Sequence, residues 1–122
     1  MKKTIAILGS TGSIGKTTFN IIKKNKKDFE VILLTTNKNI SVILKQTKIL
    51  KVKNILISSE PHYLRLKKRL KNKSIKVHNN LDNLQNIVKK KIDYTMCAIT
   101  GLEGLKPTLD AIKFSKTIAI AN

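Results

Sequence analysis

Gly9, Gly12 and Gly15 stand three residues apart, directly after the apolar run Ile5 to Leu8 and directly before a helical pattern. This is the pattern of a strand, a tight turn and a helix. A backbone without Cβ atoms can come close to a phosphate, and the first N–H groups of a helix have no intrahelical partner to compete for them. The turn is therefore read as a nucleotide or dinucleotide phosphate site. Two phosphate motifs compete for it. A P-loop is half present in Gly15, Lys16 and Thr17, but Ser10 stands where its first glycine belongs and Gly9 lies one place too far back. That loop wraps a phosphate with successive N–H groups, so its length matters. No aspartate ends a later apolar strand to hold magnesium, since those strands run into Ser58 and into Ile99 and Thr100. The dinucleotide pattern G-x-G-x-x-G is missed as well. The spacing here is a variant of it, with Gly12 placed nearest a pyrophosphate and Gly15 allowing the helix to pack tightly on the strand. The plain alternative is a strand-to-helix turn with no ligand.

The end of the second apolar strand carries the next signal. Dinucleotide-binding units place an acidic residue there for the adenosine ribose hydroxyls, about 20 residues past the glycines. Thr36, Asn37, Lys38 and Asn39 occupy that place, with a cation and amides instead of an acid. A ribose 2′-phosphate needs that chemistry, which favours NADP over NAD. The competing view is that Lys38 is one lysine among many. His62 and His78 have no ligand cluster around them, and Cys97, inside an apolar strand, reads as a small core residue. No carboxylates pair and no nucleophile–base dyad is visible, so the sequence assigns no catalytic and no metal-binding residue.

The elements that must position these groups alternate strictly. Strands are expected at Ile5–Leu8, Phe29–Thr35, Asn54–Ile57, Ser74–Val77, Asp93–Ile99 and Thr117–Ala121. Between them lie helices with expected inner faces Ile14, Thr18, Ile21 and Ile22, then Ile40, Ile43, Leu44 and Thr47, then Tyr63, Leu66 and Leu70. Leu81, Leu84 and Val88 form the next such face, and Leu105, Leu109 and Ile112 the last. Asn39 or Ser41 caps the second helix, and Ser58, Ser59, Glu60 and Pro61 start the third. Alternation of this kind predicts an α/β fold, a doubly wound and mainly parallel sheet of Rossmann-like type. In such sheets ligands bind at the carboxyl ends of the strands, where the Gly9–Gly15 turn, Asn37 to Asn39 and Asn122 all fall.

The chain has 122 residues, with 25 basic against 7 acidic side chains and a formal charge of +18. The length suits a single domain over residues 1–122. The charge raises nucleic acid as a partner, but the lysines are spread over nearly every helix and loop, and Arg65 and Arg69 are the only arginines. They read as solvated faces, with salt-sensitive and non-specific polyanion binding and no specific nucleic-acid site. No apolar run approaches the roughly 18 residues that would span a bilayer, so no membrane association is expected. Neither a leader pattern nor paired cysteines argue for export, so the expected place is the cytosol.

Residues Ile7 to Gly15 resemble the opening of the 1-deoxy-D-xylulose 5-phosphate reductoisomerase family. Lys38 and Asn39 are similar to the family's Gly-Lys-Asn after its second strand. The stretch Ala98 to Thr108, with Gly101, Gly104 and Pro107, is similar too, as is the closing run Thr117 to Asn122. The resemblance implies the family's amino-terminal NADPH-binding domain. It places Thr11, Gly12, Ser13 and Ile14 on the pyrophosphate side, Asn37, Lys38 and Asn39 at the 2′-phosphate, and Asn122 towards the nicotinamide. It further implies a homodimeric enzyme that acts on a phosphosugar with Mg²⁺ or Mn²⁺, its product being 2-C-methyl-D-erythritol 4-phosphate. In the family a Lys-Glu pair, the metal-binding carboxylates and the substrate-phosphate ligands come after this asparagine, so these 122 residues are expected to be inactive alone. Asn37 departs from the family's usual glycine, and Lys16 from a commonly small residue. Asparagine tolerates the left-handed backbone better than most residues, so the turn can survive. The rival readings are the cofactor domain of another NADP-dependent dehydrogenase and a basic α/β module that binds nucleic acid.

Overall fold

The first strand, β1 (Lys3–Leu8), is buried over Ile5–Leu8 on both of its faces, which requires a layer on each side of the sheet. The computed structural model describes residues 2–71, 73–82 and 87–121, apart from the side chain of Leu102. Five more strands follow: β2 (Phe29–Thr36), β3 (Asn54–Ile57), β4 (Lys76–His78), β5 (Ile92–Cys97) and β6 (Ser115–Ile120). They form one sheet in the order β4-β3-β2-β1-β5-β6, with every neighbouring pair parallel. The chain winds outward from β1 to β4, then crosses back to lay β5 on the other side of β1. This is the doubly wound α/β arrangement. Its switch point lies between β1 and β5, where the crevice at the carboxyl ends of the strands opens.

Helices α1 (Ser13–Lys24), α2 (Ile40–Leu50) and α3 (Glu60–Arg69) cover one face. Phe19, Ile22, Ile43, Tyr63 and Leu66 pack there on Ile5, Ile7, Leu34, Ile55 and Ile57. On the other face Leu81, and Ala111 from α4 (Leu105–Phe114), meet Ala6, Leu8, Leu33, Leu56 and Cys97. A bulge in β2 serves this layering. Ile5 pairs with Val31 but Ala6 pairs with Leu33, so Ile32 is extra, and Val31 and Leu34 share a face although three residues apart.

The inner faces of α2 and α3 are as expected, with Ile43, Thr47, Tyr63 and Leu66 buried. Two other helices are rotated from expectation. In α1 the buried residues are Gly15, Phe19 and Ile22, while Ile14 and Ile21 are 38% and 58% exposed. Gly15 has no side chain to hold the helix off the turn, so the helix settles with that side inward. In α4, Leu105, Leu109 and Ile112 are more than half exposed, and Ala111 is the residue that meets the sheet. The polar flank of α4 is engaged, with Lys106 Nζ 3.0 Å from Asp110 and 3.7 Å from Asp82, and a small residue permits close approach to the strands. Strands β4, β5 and β6 are each shifted by one or two residues at their ends from the expected spans. Of the helix expected around Leu81, Leu84 and Val88, Leu81 is buried and Val88 packs half-buried, while Leu84 lies outside the described residues. No helix is long and apolar enough to cross a membrane among the described residues.

Candidate functional site

The three glycines do three different things. Gly9 adopts φ +82°, in the left-handed region, and a Cβ there would stand 3.1 Å from the backbone of Ala98. Gly15 packs α1 on the turn so closely that a Cβ would fall 2.0 Å from the Gly9 carbonyl oxygen and 2.7 Å from Ser10 Cα. Gly12 faces open space, with nothing nearer to its missing Cβ than that same oxygen at 3.8 Å. It is also the N-cap of α1, in extended conformation and with no side-chain cap. The first turn of α1 holds no acidic residue. Its N–H groups and the positive end of the helix dipole are thus available to an anion, and no methyl group blocks the approach.

The turn is lashed to the end of β2. Gly9 N donates to Thr35 Oγ1 at 2.8 Å, and Ser10 N donates to the Thr35 carbonyl at 2.9 Å. The hydroxyls of Thr11 and Thr36 are 2.6 Å apart. Beyond Thr36 the chain forms a second polar corner. Ser59 N donates to the Asn37 carbonyl at 2.9 Å and Ser58 Oγ to Asn37 Oδ1 at 3.0 Å, which holds Asn37 and leaves its amide NH₂ as a donor. Lys38 is exposed, and Asn39 caps α2 by accepting from Val42 N at 3.3 Å. A cleft of about 660 Å³ opens between these corners. Gly9, Thr11, Gly12, Thr36, Asn37 and Ser58 line one part of it, and Asn79, Leu81, Ala98 and Thr100 another. The volume suits an organic cofactor, for which pockets of roughly 300–1,000 Å³ are usual. A hollow of about 900 Å³ at the opposite, amino ends of the strands is lined by Lys2, Lys26, Lys27, Lys51 and Lys53 but by none of the turn residues. The chemistry places the site at the carboxyl ends.

Of the residues expected from sequence, Thr11, Gly12 and Asn37 line the cleft together. Ser13 and Ile14 begin α1 beside them, and Lys38 and Asn39 follow Asn37. Asn122 lies outside the described residues. Sequence reasoning placed Thr36 beside the ribose position and Ser58 at a helix start but gave neither, nor Ser10, Thr35 and Gln46, the role of holding the turn and its neighbour in place. Two hydroxyls closing an otherwise apolar strand, and a glutamine three residues after a core isoleucine on α2, were the available signals. Both histidines have structural partners. His62 Nδ1 is 2.7 Å from Ser59 Oγ, and His78 Nε2 is 3.1 Å from Asn54 Oδ1. Burial and the nearby Lys76 and Lys67 hold His78 below the usual histidine value. Burial pushes the Cys97 thiol up. Among the described residues no three His, Cys, Asp or Glu side chains gather as metal ligands.

The family model for 1-deoxy-D-xylulose 5-phosphate reductoisomerase matches residues 5–122. The chain belongs to that family. It is 54% identical to the reductoisomerase of Pelagibacter ubique over 122 residues, covering 98% of this chain and 31% of that protein. It is 40% identical to the reductoisomerase of Caldanaerobacter subterraneus, again over 31% of the relative's length. The chain thus spans about a third of the length of the curated relatives it matches. The solved reductoisomerase of Zymomonas mobilis, in complex with NADPH, superimposes on all of this chain with a TM-score of 0.86 at 37% identity, over 32% of its own length. A second reductoisomerase structure, in complex with NADPH, fosmidomycin and magnesium, gives a TM-score of 0.84 at 28% identity, covering 98% of this chain and 30% of its own. The Rossmann-like architecture of the reductoisomerase family is therefore that of this chain.

Proposed function

We infer that this chain is the NADPH-binding domain of an enzyme that converts 1-deoxy-D-xylulose 5-phosphate to 2-C-methyl-D-erythritol 4-phosphate. The observation that carries this reading is Gly12, which has no neighbour in front of it and stands at the uncapped, acid-free start of α1 on the wall of a cofactor-sized cleft. Thr11, Gly12, Ser13 and Ile14 receive the pyrophosphate, Ser13 and Ile14 on backbone N–H groups of the first turn of α1 and Gly12 through the close approach its missing Cβ allows. Asn37, Lys38 and Asn39 receive the 2′-phosphate, with Lys38 giving the charge and the Asn37 amide a donor. Asn122 is assigned to the nicotinamide side by the family resemblance alone. NADPH supplies a hydride when bound; the residues of this chain bind and orient it. The family membership extends the proposal to a homodimeric, cytosolic enzyme that uses Mg²⁺ or Mn²⁺ held by residues other than these. The lysine surface is taken as a solvated one that binds polyanions without specificity and loses them as salt rises.

Calorimetric titration of the intact protein with NADPH and NADH tests the reading. NADPH should bind at least tenfold more tightly, the worth of about one charge-assisted contact. Lys38→Ala should remove most of that advantage and leave NADH nearly unchanged. Equal affinity for the two cofactors, or no binding by a folded protein, refutes the assignment of the Asn37–Asn39 corner.

A further inference from the structure

Gln46 lies on the inner side of α2 beside Ile43 and Thr47 and is only 4% exposed. An amide so placed is costly unless both its oxygen and its nitrogen find partners. Both do, in one residue. The Ser10 hydroxyl lies 2.8 Å from Gln46 Oε1, and Gln46 Nε2 donates to the Ser10 carbonyl at 2.9 Å. Ser10 is itself fully buried. The same hydroxyl is 3.3 Å from the Thr35 carbonyl, but it has one hydrogen, and the shorter line runs to Gln46.

An apolar side chain of similar size would leave the buried Ser10 carbonyl without this partner, so the amide serves hydrogen bonding and not packing alone. What a two-point contact adds is control of orientation. Two bonds from one rigid amide fix where the Ser10–Thr11 peptide stands and how it is turned, immediately before Gly12. The helix that carries Gln46 begins at Asn39, whose side chain caps it, so it is tied at its start to the Asn37–Asn39 corner and in its middle to the glycine turn. We propose that Gln46 is a positioning residue that sets the glycine turn against the Asn37–Asn39 corner, so that one ligand engages both at once. This rests on the cofactor reading given above. Gln46 lines no part of the cleft; it acts through Ser10.

The test compares a ligand that spans both corners, NADPH, with one that uses only the second, adenosine 2′-monophosphate. Affinities for both are measured on the intact protein and on the variants Gln46→Met and Ser10→Ala, at a temperature where each is folded. Gln46→Met should weaken NADPH by about tenfold and leave adenosine 2′-monophosphate within about twofold, the loss being that of roughly one well-placed hydrogen bond. Ser10→Ala keeps the bond from Nε2 to the carbonyl and should give a smaller drop in the same ratio. A residue that merely stabilised the fold would change both ligands together or neither, and an unchanged ratio in both variants overturns the proposal. Should Gln46→Met fail to fold, the ratio in Ser10→Ala decides alone. Failure of the unaltered protein to bind NADPH counts against the cofactor reading itself, which separates the two conclusions.

Discussion

Gly12 and Gly15 are three residues apart on one turn, yet alanine at each should do opposite things. At Gly15 the new methyl would stand 2.0 Å from the Gly9 carbonyl oxygen and under 3 Å from two backbone atoms of Ser10. Those atoms are tied to Thr35 and Gln46, so the helix must lift by about an ångström to clear the 3.0 Å below which real Cβ contacts do not occur. Overpacking of this kind costs about 1–3 kcal/mol, here towards the upper end because backbone cannot rotate away. Alanine returns about 1 kcal/mol in helix propensity. The net loss is about 1–2 kcal/mol, or about 4–8 °C in melting temperature for a chain of this size. At Gly12 the methyl meets nothing closer than 3.8 Å, and φ of −77° suits any residue, so stability should stay within about 0.5 kcal/mol. The cost appears in binding, because the methyl enters the approach to the α1 N-terminus; NADPH affinity should fall at least about tenfold. Urea unfolding and calorimetric titration of both variants give the four numbers required. A Gly12→Ala protein that binds NADPH normally would refute the close approach of ligand to backbone. A Gly15→Ala protein as stable as the parent would refute the packing role of that glycine.

Asp93 at the start of β5 accepts from Thr4 N at 2.9 Å and from Thr4 Oγ1 at 3.2 Å, with Lys116 Nζ at 3.4 Å. The backbone bond from Thr4, followed by Lys116, holds its carboxyl below the usual aspartate value. The unfolded chain therefore takes up the proton first as the pH drops. The stabilisation is complete above the ordinary aspartate range and fades as the pH falls through the lower folded value. Melting curves of Asp93→Asn should show their deficit near neutral pH and a closing gap in acid, whereas a constant gap would mean that charge is not involved. Cys97 is buried with its thiol pKa raised, so thiolate is scarce at neutral pH. Iodoacetamide should label it only as fast as the protein unfolds, and rapid labelling of the native state would contradict its core position.

What could be read from the chain alone was local. The strand–turn–helix at Gly9 to Gly15 follows from an apolar run and residues without Cβ atoms, and both are properties of neighbours in sequence. The parallel, doubly wound sheet follows from the alternation of short apolar runs with helical patterns. A cap at Asn39 or Ser41 was legible because it needs one side chain to reach three residues ahead, and the structure uses Asn39. Which side of a helix is buried is another kind of question. In α1 the answer turned on how near Gly15 could come to Gly9. In α4 the small Ala111 meets the sheet, while three large apolar residues stay outside. The residues that hold the site likewise come from distant stretches: Thr35 and Thr36 from the end of β2, Ser58 from the end of β3, Gln46 from the middle of α2. Their polar groups have a role only because folding brings partners distant in sequence within reach. Sequence by itself determined that a glycine turn would form between strand and helix; tertiary packing decided how that turn is held and what stands around it.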